Sequence, residues 1–119
     1  MVFERILAVA PPGTVIPKPK AKGVFLVKGP GIRRGEKALI YLIPNHKDPQ
    51  KPREKGVTVS EIEAAYRELT RSGEFTRQWI IRNLPDCYRE GGCNFTTIGG
   101  LFILLGEAKY SGPGVYKRI

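Results

Sequence analysis

The stretch "TTIGGLFILLGEAKY", residues 96–110, decides the fold, because it can coil or extend and nothing inside it settles which. Ile98, Leu101, Phe102 and Leu105 recur at the spacing of one helical face, with Thr96 or Thr97 placed to cap its start. Against this, Gly99 and Gly100 each weaken a helix by about 1 kcal/mol relative to alanine, and "LFILL" also fits a fully buried strand. Coiled, the stretch is a third helix over 96–105, with Gly106 as its left-handed stop. Extended, it carries Glu107 and Lys109 on one face of a sheet.

Working outward, the upstream flank favours the coiled reading. Ser60 and Glu63 have the spacing of a reciprocal helix cap, and Ile62, Ala65, Tyr66 and Leu69 follow at i, i+3, i+4, i+7, so a helix is expected over 60–72 with Gly73 ending it. Thr76 caps a second helix to residue 84, with Trp79, Ile80, Ile81 and Leu84 facing inward and Pro85 closing it. Residues 86–94 read as a loop. Downstream, a strand over 107–110, a Ser111-Gly112-Pro113-Gly114 turn and a strand over 115–119 make a small hairpin.

The front half has a different character. Residues 10–23, "APPGTVIPKPKAKG", are proline-rich and carry Lys18, Lys20 and Lys22, so they read as an extended basic arm. The apolar runs at 24–27 and 38–43 flank a loop holding Lys28, Arg33, Arg34 and Lys37, the pattern of a β-hairpin with a basic tip. Both runs are nearly continuous in hydrophobicity, so both faces should be covered, by the following helices or by a second copy in a homodimer. Residues 46–56 read as a polar basic linker. The expected class is therefore α+β, with an arm and hairpin over 1–56 and a helical unit with its closing hairpin over 57–119.

A net charge of +9 over 119 residues favours an anionic partner. Residues 1–56 hold twelve basic side chains against four acidic ones, whereas 57–119 hold eight against seven, so the excess belongs to the front. Only five apolar residues follow Arg5 before the first prolines, too few for a secretory core, and no run reaches membrane-spanning length, so a cytoplasmic protein with no membrane partner is expected. Cys87 and Cys93 lie far from the single His46, which favours two reduced thiols over a zinc site. His46 has no cysteine or serine at meaningful spacing and reads as a loop residue. Trp79 and the tyrosines at 66, 88, 110 and 116 are candidates for base stacking, although Trp79 and Tyr66 fall on core-facing positions.

The order of elements over 58–119, an apolar helix, an "LG" break, a short strand, a Gly-containing turn and a "GVY" strand, resembles the closing half of winged helix-turn-helix domains. The resemblance implies that Asn94, Thr96 and Thr97 lie near base edges in the major groove, and that Lys109, Lys117 and Arg118 of the wing lie near phosphates. It also admits a protein-interaction or assembly role, since the third helix has almost no charge. A rival pattern is present in Pro85-Asp86 and Glu107-Ala108-Lys109, similar to the metal-binding set of PD-(D/E)xK nucleases. That chemistry needs Asp86, Glu107 and Lys109 to converge from adjacent strands, and only ten residues follow Lys109 for the rest of such a core. The function expected is binding of nucleic acid, DNA first, without catalysis or cofactor. The basic hairpin (Lys28, Arg33, Arg34, Lys37) supplies grip and the wing supplies orientation.

Overall fold

In a computed structural model that describes residues 1–19 and 23–119, the deciding stretch coils: α5 spans Cys93–Leu104, starting three residues earlier than expected. Its two glycines explain how. A Cβ on Gly100 would fall onto the carbonyl oxygen of Pro17 and 2.7 Å from Ile16 Cγ2, and a Cβ on Gly99 would strike the Tyr116 ring, 2.6 Å from Cδ2. The glycines thus trade helix propensity for contact on two sides, the arm crossing one and the closing hairpin the other. Ile98, Leu101 and Phe102 are buried between, and Gly106 leaves the helix at φ 74° as its left-handed stop.

Around α5 are α2 (Val59–Ser72), β4 (Glu74–Thr76), α3 (Arg77–Asn83), α4 (Pro85–Glu90), β5 (Ala108–Gly112) and β6 (Val115–Arg118). The three strands form one antiparallel sheet in the order β4-β6-β5. Phe75 of β4 is its aromatic hub, 4.9 Å from Phe95 and 5.8 Å from Phe102 between ring centres. Gly73 ends α2 in the left-handed conformation and Thr76 caps α3 by accepting from Trp79 N, as the punctuation of the sequence requires. Pro85 closes α3 and also opens α4, at whose first turn its missing N–H is no loss, so 85–90 is helix where a loop was expected.

The cap of α2 lies two residues before the expected one. Thr58, not Ser60, is the N-cap: its hydroxyl accepts from Glu61 N at 3.2 Å while Glu61 Oε1 accepts from Thr58 N at 2.9 Å. Ser60 and Glu63 share that spacing, but Ser60 instead bonds the Glu36 carboxylate through both N and Oγ. Thr58→Ala is therefore expected to lower stability by about 1–2 kcal/mol in urea denaturation, and Ser60→Ala by under about 0.5 kcal/mol. The reverse order would place the cap at Ser60.

The front half opens with an unexpected helix, α1 (Val2–Val9), which buries Val2, Phe3 and Ile6. β1 (Leu26–Arg33), β2 (Glu36–Ile43) and β3 (Arg53–Thr58) form an antiparallel sheet in that order. β3 takes up 53–56, the end of the expected linker, and crosses the expected boundary at 56/57, so one strand ties the two halves together. Over its described residues, 10–19, the arm turns at 11–14 and then borders β1 and the residue before it through Gly13 N to Val27 O (2.8 Å), Val27 N to Thr14 O (2.9 Å) and Ile16 N to Phe25 O (2.9 Å). Lys20 and Lys22 of the arm lie outside the described residues. Leu39 and Tyr41 enter the core from one face of β2; Ala38 and Ile40, on the other, are buried within the same chain, with Gly31 and Gly56 against Ile40. Covering β2 thus requires no second copy. Among the described residues no helix is long and apolar enough to cross a membrane.

Candidate nucleic-acid interface

The basic hairpin tip does not wave into solvent. Arg34 and Gly35 form its two-residue turn with φ 48° and 73°, the left-handed pair that matches strand twist. Arg34 then turns back into the protein. Its Nε and Nη2 donate to Glu61 at 2.8 and 2.6 Å, Nη1 to Glu90 at 2.5 Å, and Nη2 also to the Gly56 carbonyl at 2.8 Å. Burial works to lower its pKa, but the two carboxylates outweigh this and hold the guanidinium charged. Burial likewise pushes Glu61 up, and Arg34 with the Thr58 N–H outweighs it, leaving the carboxyl below its ordinary range. Arg33 lies across Gly56 and reaches Glu90 (3.4 Å) and the Glu54 carbonyl (2.9 Å). Lys28 pairs with Glu54 at 2.5 Å, and Lys37 sits over the Phe3 ring. Arg33 and Arg34 make the tip a clasp between β1–β2, α2 and α4, whereas Lys28 and Lys37 stay exposed beside it.

Two of the three expected base contacts are also unavailable. Asn94 is fully buried: its Oδ1 accepts from Tyr41 OH at 2.6 Å and its Nδ2 donates to the Cys87 carbonyl at 2.8 Å. Thr97 is fully buried as well. Both sit on the inner side of α5, a helix enclosed by arm and sheet, so neither can reach a groove. Thr96 alone is half-exposed, its hydroxyl donating to the Cys93 carbonyl at 3.0 Å.

On the closing hairpin the expected cations are on the surface. Lys109 and Lys117 are direct cross-strand partners of β5 and β6, both exposed, with Glu74 of β4 on the far side of Lys117. Like charges directly opposite destabilise a sheet, so an anion laid across the pair would relieve a repulsion built into the register. Arg118, at the end of β6, donates to the Thr70 carbonyl at 3.1 Å and stays exposed.

On the opposite side of that hairpin lies a cavity of about 220 Å³ among arm, α5 and turn. Tyr110, Pro113 and Gly114 border it from the hairpin, Lys18 and Phe25 from the front half, and Thr96 from α5. Arg77, first residue of α3, stands over the Phe95 ring at 5.1 Å, and Lys18 over the Phe25 ring at 4.8 Å. Tyr116 lies beneath Tyr110, 5.7 Å between ring centres, and its buried hydroxyl has no hydrogen-bond partner among the described residues. Burial, with Tyr110 adding to it, pushes that phenol up to about 12, so it is a donor at neutral pH. Tyr110 was visible as a stacking candidate, whereas Arg77 was not: its place depends on its backbone N–H donating to the Gly114 carbonyl, 37 residues downstream in sequence, at 3.0 Å.

Asp86, Glu107 and Lys109 do not converge from strands. Asp86 sits on α4 and pairs with Arg89 at 2.7 Å. Glu107 follows α5 and binds Arg5 and the Tyr66 hydroxyl, and Arg5, ahead of the opposing effect of burial, draws its carboxyl below the ordinary range. Cys87 and Cys93 are free thiols. Compared with protein families, curated proteins and solved structures, the chain gave no match.

Proposed function

We propose that this protein binds nucleic acid, DNA first, without catalysis, and that it does so through the outer face of the closing hairpin rather than through a recognition helix. The observation that carries this reading is the exposed Lys109–Lys117 cross-strand pair on a chain of net charge +9. The succession α2, β4, α3, α4, α5, β5, β6, with strand order β4-β6-β5, adds a helix to the winged-helix order but keeps its closing helix and hairpin, and on this reading the hairpin is the wing. Because α5 is enclosed, contacts would fall on the sugar-phosphate backbone, and affinity would depend on charge far more than on sequence.

Anisotropy of a labelled duplex, titrated at several salt concentrations, tests this. Affinity should fall steeply with salt, and Lys109→Glu with Lys117→Glu should weaken binding by at least about tenfold and flatten the log–log salt slope by about 2. Unchanged binding by the double variant would remove the wing from the interface. A protein-interaction or assembly module is the second reading, favoured by the enclosure of α5, which withholds the usual groove-reading surface. It requires that duplex binding be negligible even at low salt.

A further inference from the structure

We infer that the cavity between Tyr110, Phe25 and Arg77 receives one unpaired base of a nucleic-acid strand, an inference that rests on the nucleic-acid reading above. Its size is the first argument. At about 220 Å³ it falls below the roughly 300–1,000 Å³ of sites for drug-sized ligands, and suits a single ring system rather than a whole cofactor.

Its chemistry is the second. Tyr110 is 40% exposed at the rim, an aromatic face on which any base can stack, and Phe25 and Pro113 offer apolar flanks. The Arg77 guanidinium, held over Phe95, adds a planar cation of the kind on which bases also stack. Lys18 and Arg77 bring positive charge to the mouth, where the phosphates flanking an extruded base must pass. Neutral aromatic ligands would use the walls but make no use of the Arg77 charge.

The third argument is hydrogen-bonding capacity at the wall. The Thr96 hydroxyl, which already donates to Cys93, keeps acceptor capacity for an exocyclic amine. The cavity lies on the side of the hairpin away from Lys109 and Lys117, so a strand passing round the hairpin edge could engage both.

The test compares four probes at one salt concentration: a plain duplex, the same duplex with one bulged thymine, the corresponding single strand, and adenosine monophosphate. Wild-type protein should prefer the bulged duplex and the single strand over the plain duplex by about tenfold. Tyr110→Ala should reduce that preference to under about twofold with plain-duplex affinity and its salt slope unchanged, and Tyr110→Phe should retain it. Equal affinity of the wild type for plain and bulged duplex overturns the base site and leaves the wing reading intact. A preference that survives Tyr110→Ala also overturns it. Mononucleotide binding as tight as that of the bulged duplex, and equally dependent on Tyr110, overturns a strand as the source of the base. No binding of any strand at low salt overturns the wing reading and this inference together.

Discussion

Gly100→Ala is expected to lower stability by about 2 kcal/mol and Gly100→Val by more than about 3 kcal/mol, although both residues are placed in a helix interior. Two effects oppose each other at this position. Helix propensity alone makes alanine better than glycine by about 1 kcal/mol. Packing works the other way, since the new Cβ would sit on the Pro17 carbonyl oxygen, a backbone atom that cannot rotate aside, and close to Ile16, which is itself 1% exposed. Relief requires the arm to move as a unit. That motion would strain the bonds joining Gly13, Thr14 and Ile16 to β1, so hydrogen exchange at Ile16 N and Val27 N should accelerate along with the loss in urea denaturation. A variant stabilised by about 1 kcal/mol, the propensity value unopposed, would mean that the arm does not lie on α5.

The same glycine pair shows where the sequence was readable. Helices α2, α3 and α5 and the β5–β6 hairpin were legible because each is set by neighbours in the chain: Gly73 and Gly106 as stops, Thr76 as a cap, an apolar face at helical spacing. Near-degenerate local signals misplaced only details. Thr58/Glu61 and Ser60/Glu63 are equivalent as patterns, and what separates them is Arg34, which also holds Glu61 and is 27 residues away. β3 was missed because "REKGVT" has little apolar content; its burial comes from Gly56, Val57 and Thr58 pairing with β2. α1 was missed because eight residues are too few to declare a helix without the core that Phe3 and Ile6 enter. The candidate site was legible in its charges and illegible in their direction. Lys109 and Lys117 follow from strand alternation, but nothing local in "GPGIRRGEK" says that Arg34 folds back onto two carboxylates. Likewise nothing in "CNFTT" says that Asn94 is consumed by Tyr41 and Cys87.

That inward arginine supports the second large effect. Arg34→Asn should cost about 3 kcal/mol at neutral pH, even though Asn-Gly is the favoured sequence for a turn of this type and removes the strain of a left-handed arginine. The turn therefore improves while the clasp is lost, and any net destabilisation belongs to the ion pairs. Without the guanidinium, Glu61, whose side chain is 10% exposed, is left without its cation, and Glu90, at 22%, keeps only Arg33. The pH dependence gives the sign. In the wild type the Glu61 carboxyl is depressed below its ordinary value of 4.5, so its contribution is fully present above that value and is lost as pH falls through the lowered one. In the variant burial, which raises the carboxyl, is opposed only by the Thr58 N–H and the Cys87 thiol, so the carboxyl lies higher than in the wild type and protonation relieves the variant before the wild type loses its pair. The stability difference between the two proteins should accordingly be largest near pH 7 and shrink on acidification through the ordinary carboxylate range. Adding Glu61→Gln to Arg34→Asn should recover part of the loss at pH 7 and remove most of its pH dependence, because no buried charge is then left to titrate at that position. A difference that stays constant from pH 7 to pH 4 would show that Arg34 acts through its stem and the turn, and that the clasp joining the hairpin tip to α2 and α4 is not electrostatic.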